Sequence, residues 1–459
     1  MTAPAPTSRF RVELGATLRL AGPLVLANLL QMAIYAVDVI FVARLGEEPL
    51  AAASLATSLV GLMVWAFSGL TGAVAPLIAA ELGRRNHAVR EVRRSLRMAL
   101  WLALALGLAA MAICQAGEAI LLATGQEPRI AALAGPFLAL LGWAVIPQIV
   151  CNVLRIFVAA LGRPMLATGI MILALVVNAL GNYALVFGNF GAPALGLVGS
   201  AISTVITALV TLLAYLAVIR ADARLRRYRI CGRWWRPEWQ RLREIVRLGI
   251  PIALTVVAEG GLFNGATFLM GLIGPAQLAG HALAFQVAAL FFQIPFGIAQ
   301  AATIRVGFHF GAGDRAAIGR AGWAAILACI GFQLAGAAVM LLAPQAILSI
   351  YVDRANPANA AMTAFAVQYL MAAAAFQLFD GLQAVAGGAL RGLQDTRMPM
   401  VIALLGYWVP GFGAAVLLGF ATPLEGLGVW IGLAVGLVVV AGLLLWRWHW
   451  RERLGLVAG

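Results

Sequence analysis

The chain has 459 residues, 63% of them hydrophobic and only 11% charged, with a mean hydropathy of +0.95. A water-soluble domain of this length carries far more polar surface, so a soluble protein is excluded and an integral membrane protein is expected. The net charge of +14 comes wholly from 32 arginines, with no lysine, and they sit in short connectors between apolar stretches, a pattern that sets orientation in a membrane rather than contact with nucleic acid.

In chain order, windows of about 20 apolar residues, enough to cross roughly 30 Å of hydrocarbon, predict spans at 18–43, 50–80, 96–116, 131–160, 165–188 and 196–219. A second six follow at 246–272, 278–308, 321–345, 358–390, 398–420 and 426–446. The first window follows Arg9, Arg11 and Arg19 but runs well beyond 20 residues and carries Asp38, so it reads as a transmembrane helix and not as a cleaved signal peptide. Cys114, Cys151 and Cys329 fall within spans and Cys231 in a connector, without disulfide or metal spacing.

The arginines alternate between connectors. They crowd the N-terminus, residues 84–97, Arg155 with Arg163, residues 220–247, residues 305–320, Arg391 with Arg397, and the C-terminal tail. The intervening connectors hold only Arg44, Arg129 and Arg354. The positive-inside rule then places both termini in the cytoplasm. The longest basic connector carries Trp234, Trp235 and Trp239, as an amphipathic segment on the inner leaflet would.

Shifted by 228 residues, the two halves align without a gap. Pro23 meets Pro251, "LGEEPLAAASLA" meets "IGPAQLAGHALA", and "ELGRRN" meets "HFGAGD". An even number of spans separates matching positions, so the repeat is parallel and the substrate path is expected between its halves. The expected fold is therefore an all-α integral membrane protein of twelve transmembrane helices in two six-helix bundles. The expected organisation is a first lobe at 1–219, a basic cytoplasmic linker at 220–245, a second lobe at 246–446 and a cytoplasmic tail at 447–459.

Three stretches carry a family resemblance: "PLVLANLLQMAIYAVDVIFVARLGEEPLAAASLA", "GNYALVFGNFGAPALGLVGSAIST" and "FDGLQAVAGGALRGLQDTRMPM". They resemble the multidrug and toxic compound extrusion transporters, in particular the bacterial NorM-like branch, over nearly the whole chain. The resemblance implies a V-shaped pair of six-helix lobes that export organic cations against entry of Na+ or H+.

Of the 18 acidic residues, Asp38, Glu259 and Asp380 alone fall well inside spans. A carboxylate at the bilayer centre costs about 2.5–3.5 kcal/mol on insertion scales, so three such groups require a reason. At about 1.5 Å per helical residue, Glu259 and Asp380, counted from Arg247 and Arg391, both lie near the midplane in the second half, so that one site for both is geometrically possible. Asp38 and Asn182, counted from Arg19 and Arg163, lie nearer the outer face in a second polar pocket. No mid-span arginine is expected to pair with them. Partners are instead bound cations, protons, or the polar side chains Gln31, Tyr35, Asn178, Asn182 and Thr204 in the first lobe and Asn264, Gln286, Gln377 and Gln383 in the second. Such a group can exchange a proton for a cation. The resemblance implies the same assignment: Asp38 as the acidic residue of the first helix, Asn178 and Asn182 as a fifth-helix pair, and Glu259 with Asp380 as the cation pair, including Na+. An amide at Asn182, where some relatives hold an aspartate, leaves the first-lobe site one charge poorer. By the repeat, Glu259 corresponds to Gln31 and Asp38 to Ala266, which places cation coupling in the second lobe. Aromatic side chains near these depths, Phe376 among them, suit flat organic cations, so Asn264, Gln286, Phe376 and Gln377 are the candidates for lining the substrate path.

The expected function is a secondary antiporter of small amphipathic organic cations, with Na+ or H+ as coupling ion, no other cofactor, and a monomer in the lipid bilayer. The alternative is a flippase of lipid-linked or other amphipathic metabolites from the same superfamily, for which positive charge would line the cavity. An enzyme is not expected, since no Ser/His/Asp grouping, HExxH or paired histidines occur. A primary pump would need a phosphate-binding loop with lysine.

Overall fold

The computed structural model describes residues 6–84, 87–230, 232, 234–352 and 356–457; Cys231 and Arg354 lie outside the described residues. Among the described residues twelve helices are long and apolar enough to cross a membrane. They are α1 Arg9–Ala43, α2 Glu47–Arg84, α3 Ala88–Gln115, α4 Pro128–Ala160, α5 Pro164–Phe187, α6 Gly196–Ala221, α7 Trp239–Ile273, α8 Pro275–Gly311, α9 Arg315–Leu342, α10 Ala360–Gly392, α11 Arg397–Phe420 and α12 Glu425–His449. Each predicted window coincides with one helix to within a few residues at its apolar core. The helices run longer because an α-helix satisfies its own backbone hydrogen bonds and continues into polar surroundings. So α7 begins at Trp239, and the last arginines of the basic connector become its first turns.

Local chemistry sets the ends. Pro128, Pro164 and Pro275 open α4, α5 and α8 at the position where the missing N–H would be unpaired anyway. Gly188 closes α5 with φ 77°, a left-handed conformation that an L side chain rarely adopts. Within α11 a π-helical segment, Tyr407–Phe412, surrounds Pro410, and this turn sets the direction of the Tyr407 side chain.

The chain forms two compact units, residues 26–253 and residues 1–25 with 254–459. The chain crosses between them inside α1 and again inside α7. The two crossing points are themselves related by the 228-residue shift, and each lies two residues beyond a proline within its helix, Pro23 and Pro251. Proline removes an intrahelical hydrogen bond and bends the helix there.

Each unit holds its exchanged segment with ion pairs. In the unit of residues 26–253, an Arg241 Nη atom stands 3.0 Å from Glu81 and 2.6 Å from Glu91, and Glu238 takes Arg94 and Arg97. In the other unit, Glu13 pairs with Arg305 at 2.7 Å and with His309 at 3.3 Å. The repeat superimposes Glu13 on Arg241 and Glu81 on His309, so the same two positions carry the tie with its polarity reversed.

Close backbone approach fixes α10 in the second unit. A Cβ at Gly388 would lie 2.6 Å from the Ala299 carbonyl oxygen of α8, and Thr303 of α8 donates its hydroxyl to the Gly388 carbonyl at 2.8 Å. Glycine is required at this contact.

Candidate functional site

The second unit gathers three elements around two acids. Glu259 is on α7, Asp380 and Gln383 are one turn apart on α10, and Tyr407 opens the π-helical turn of α11. Gln383 Nε2 donates to Glu259 Oε1 at 3.0 Å and to Asp380 Oδ1 at 3.2 Å, and its own Oε1 accepts the Tyr407 hydroxyl at 2.8 Å. Asp380 and Gln383 are buried, as is the whole of Tyr407. Arg391, three turns further along the same helix from Asp380, donates to the Gly387 carbonyl at 3.2 Å. The two acids thus share one amide that carries two N–H donors.

Around this group lies an aromatic wall. Phe263 of α7 is 5.3 Å from Phe285 of α8 and 5.9 Å from Phe376 of α10, and Phe376 meets Trp430 of α12 at 5.4 Å between ring centroids. Phe376 is buried in this wall. Gln377 is buried as well and exchanges side-chain to backbone hydrogen bonds with Gln333 of α9, at 2.6 and 3.4 Å. Asn264 bonds back to the Gly260 carbonyl of its own helix at 2.8 Å and is exposed, and Gln286 is exposed too. Neither hydrogen-bonds to the acidic pair.

The first-repeat unit holds a smaller group. Asp38 Oδ1 accepts from Asn178 Nδ2 at 2.9 Å and from Asn182 Nδ2 at 2.8 Å. The two asparagines are one helical turn apart on α5, which puts both amides on one face. Ser203 of α6 donates to the Asn178 carbonyl at 3.1 Å. Both asparagines are wholly buried, and their Oδ1 atoms have no donor. Thr204 lies beside Asp38 with its hydroxyl on the Ser200 carbonyl at 3.0 Å. Tyr35 is 41% exposed and Gln31 half-exposed, and neither hydrogen-bonds to Asp38.

Sequence reasoning missed Tyr407, Ser203 and Gln333, whose roles depend on which helices meet and leave no pattern along the chain. It also counted Arg155 with the cytoplasmic arginines although the window at 131–160 contains it. Grouped above with the connectors, Arg155 lies inside α4, more than a turn before its end at Ala160, and turns into the bundle. An apolar window tolerates one arginine, so hydropathy gave no warning.

The comparisons with known proteins agree with this architecture. The family model MatE matches residues 23–184 and 251–417, one copy in each half of the repeat; the copies begin 228 residues apart and end 233 apart, and α4 and α10 are offset by 232, so the expected gap-free register holds for the first helices of each half but not for these. The chain is 46% identical over 450 residues to a probable multidrug resistance protein NorM of Mesorhizobium japonicum, covering 98% of this chain and 96% of that protein. It is 42% identical over 442 residues to a protein of the same name from Brucella suis, with 96% and 94% covered. Among solved structures, a MATE in complex with MaL6 superposes with a TM-score of 0.88 at 21% identity, covering 97% of both chains. The outward-facing conformation of a multidrug resistance MATE family transporter of the MOP superfamily gives 0.85 at 22% identity, with 97% of both covered. The chain belongs to the MatE family, as the sequence resemblance implied.

Proposed function

We propose that this chain is a secondary active antiporter of a bacterial inner membrane, exporting amphipathic organic cations in exchange for Na+ or H+ by alternating access between its two lobes. In this reading it is no enzyme, works as a monomer and has both termini in the cytoplasm. The observation that carries the reading is the pairing of Glu259 with Asp380 through Gln383. Two acids inside a membrane, held by a single neutral amide, form a group that gains from a proton or a cation. Turning that amide over would replace its two N–H donors with an oxygen ligand, which suits a hard cation such as Na+. Phe263 and Phe285, both partly exposed in the aromatic wall, offer ring faces to an organic cation, with Phe376 buried behind them. The names of the curated relatives support export of drugs.

The test is efflux of a cationic dye from proteoliposomes, driven in one arm by a Na+ gradient and in the other by a proton gradient. Efflux in either arm supports antiport and identifies the ion. Efflux in neither removes the proposal.

A further inference from the structure

The segment that leads into α7 sorts its charges by face. Those turned toward α2 and α3 are paired: Glu238 takes Arg94 and Arg97, and Arg241 meets Glu81 and Glu91 as well as Glu244 of its own helix. On the same side Ile245 is buried, and a Cβ at Gly249 would lie 2.2 Å from the Leu70 carbonyl oxygen of α2, so this side of the helix is shut against protein. Arg236, Arg243 and Arg247 are exposed, and among the described residues none of the three has an acid within ion-pair distance. Trp235 and Trp239, 74% and 66% exposed, stand among them.

Trp239, Arg243 and Arg247 follow one another at four-residue spacing and so share one face of α7. Ile250, Leu254 and Val257, all exposed, carry the same stripe on into the span, where it faces hydrocarbon. Arg247 and Arg243 precede Ile250 by about 5 and 10 Å along the axis. With the reach of an arginine side chain, both guanidinium groups enter the headgroup layer, which is roughly 5–8 Å deep, and tryptophans anchor at that edge. The repeat supplies an internal contrast. Arg247 corresponds to Arg19 of α1, each four residues before a helix proline, but Arg243 corresponds to Gly15 and Trp239 to Arg11. The first copy keeps positive charge without the cluster.

We propose that Trp235, Arg236, Trp239, Arg243 and Arg247 form a binding site for an anionic phospholipid of the leaflet at the basic end of α7, held by its headgroup phosphate. A guanidinium matches a phosphate with a fork of N–H donors, and three without acids favour a lipid whose net charge is negative over one whose own ammonium cancels it. A free phosphate would satisfy the arginines and leave the two tryptophans and the Ile250 stripe uncovered; a phospholipid covers all of them. The chain passes from one compact unit to the other just beyond Pro251, so a lipid seated here grips the segment ahead of that bend. Lipid binding at this face requires nothing of the export reading.

For the test, purified protein in detergent is titrated with phosphatidylglycerol, with phosphatidylcholine and with glycerol phosphate, and the concentration giving half the rise in thermal unfolding temperature is read. The parent should respond to phosphatidylglycerol at a concentration at least about tenfold below that for phosphatidylcholine, since each arginine near an anionic headgroup contributes roughly fivefold, and high salt should remove most of that preference. Combining Arg236→Gln, Arg243→Gln and Arg247→Gln should cut the preference at least about fivefold and leave the unfolding temperature in lipid-free detergent unchanged, because no ion pair is lost. Arg11→Gln with Arg19→Gln should leave the preference nearly intact, and Trp235→Ala with Trp239→Ala should weaken the response to both lipids. Equal response of the parent to both lipids, a response to glycerol phosphate at the same concentration as to phosphatidylglycerol, or equal loss in the α1 and α7 arginine variants overturns the proposal. If the triple variant does not fold, the lipid preference of the parent, its salt dependence and the tryptophan variant still decide.

Discussion

Tyr407 donates its hydroxyl to Gln383 Oε1 at 2.8 Å and thereby decides which end of that amide faces Glu259 and Asp380. With the oxygen engaged by Tyr407, both N–H donors point at the acids. Tyr407→Phe frees the amide to turn, at the loss of one buried hydrogen bond of about 0.5–1.5 kcal/mol. The apparent affinity for the coupling ion should change by roughly two- to tenfold, with insertion and maximal efflux largely kept. Efflux titrated against Na+ and against pH reads this directly. An unchanged midpoint in both titrations would reduce Tyr407 to packing.

Glu259→Gln and Asp380→Asn should each abolish coupled efflux while the protein remains inserted, because each amide keeps shape and hydrogen bonding but cannot exchange a proton or hold a cation. Since Gln383 joins the two acids, the double variant should be little worse than either single one. Two variants that act on one unit do not add. Efflux rates for the three variants, normalised to protein in the membrane, test this, and independent additive losses would separate the acids into two sites.

Asp38→Asn keeps an oxygen acceptor for Asn178 and Asn182 and so preserves the junction of α1 with α5. It cannot ionise. In the parent, lowering the pH should weaken cation binding as protons compete for Asp38; in the variant, affinity should be low and flat across the same range. Binding of a cationic dye measured from pH 5 to 9, a range chosen to bracket about neutral, is the check. Identical curves for parent and variant would assign Asp38 to helix packing alone.

Glu13 holds both Arg305 and His309 with two short hydrogen bonds to the guanidinium, at 2.7 and 2.8 Å. Glu13→Gln removes the charge from this largely buried tie and should lower stability by about 1.5–3 kcal/mol, the worth of hydrogen bonds to charged groups. Thermal unfolding in detergent should show the loss, and Arg305→Gln should add little to it. Reversing the pair, Glu13→Arg with His309→Glu, copies the polarity of Arg241 and Glu81 and should recover part of the loss. No recovery would mean that the two ties are not interchangeable.

The twelve helices, the parallel repeat and the three intramembrane acids were legible along the chain because the bilayer imposes them locally. Hydrocarbon demands about 20 apolar residues per span and penalises every charge within it, so length, hydropathy and an acid out of place are each visible without knowing any neighbour. Depth made one site for Glu259 and Asp380 possible, the family resemblance implied the pair, and Gln383 was named among the neighbours. The agent of that pairing was not legible. Tyr407 is one of seven tyrosines, and nothing in "GYWVPG" says that a π-helical turn aims it at α10. Likewise the division of the chain at residues 25/26 and 253/254 lies inside unbroken apolar helices, where hydropathy shows no seam; only the packing of α1 and α7 on both units reveals it. Arg155 marks the boundary between the two kinds of knowledge. Its place near the cytoplasmic end of the fourth window let it be read with the connector arginines, and only the folded bundle shows it donating to Asn152 and across to Asn28 of α1.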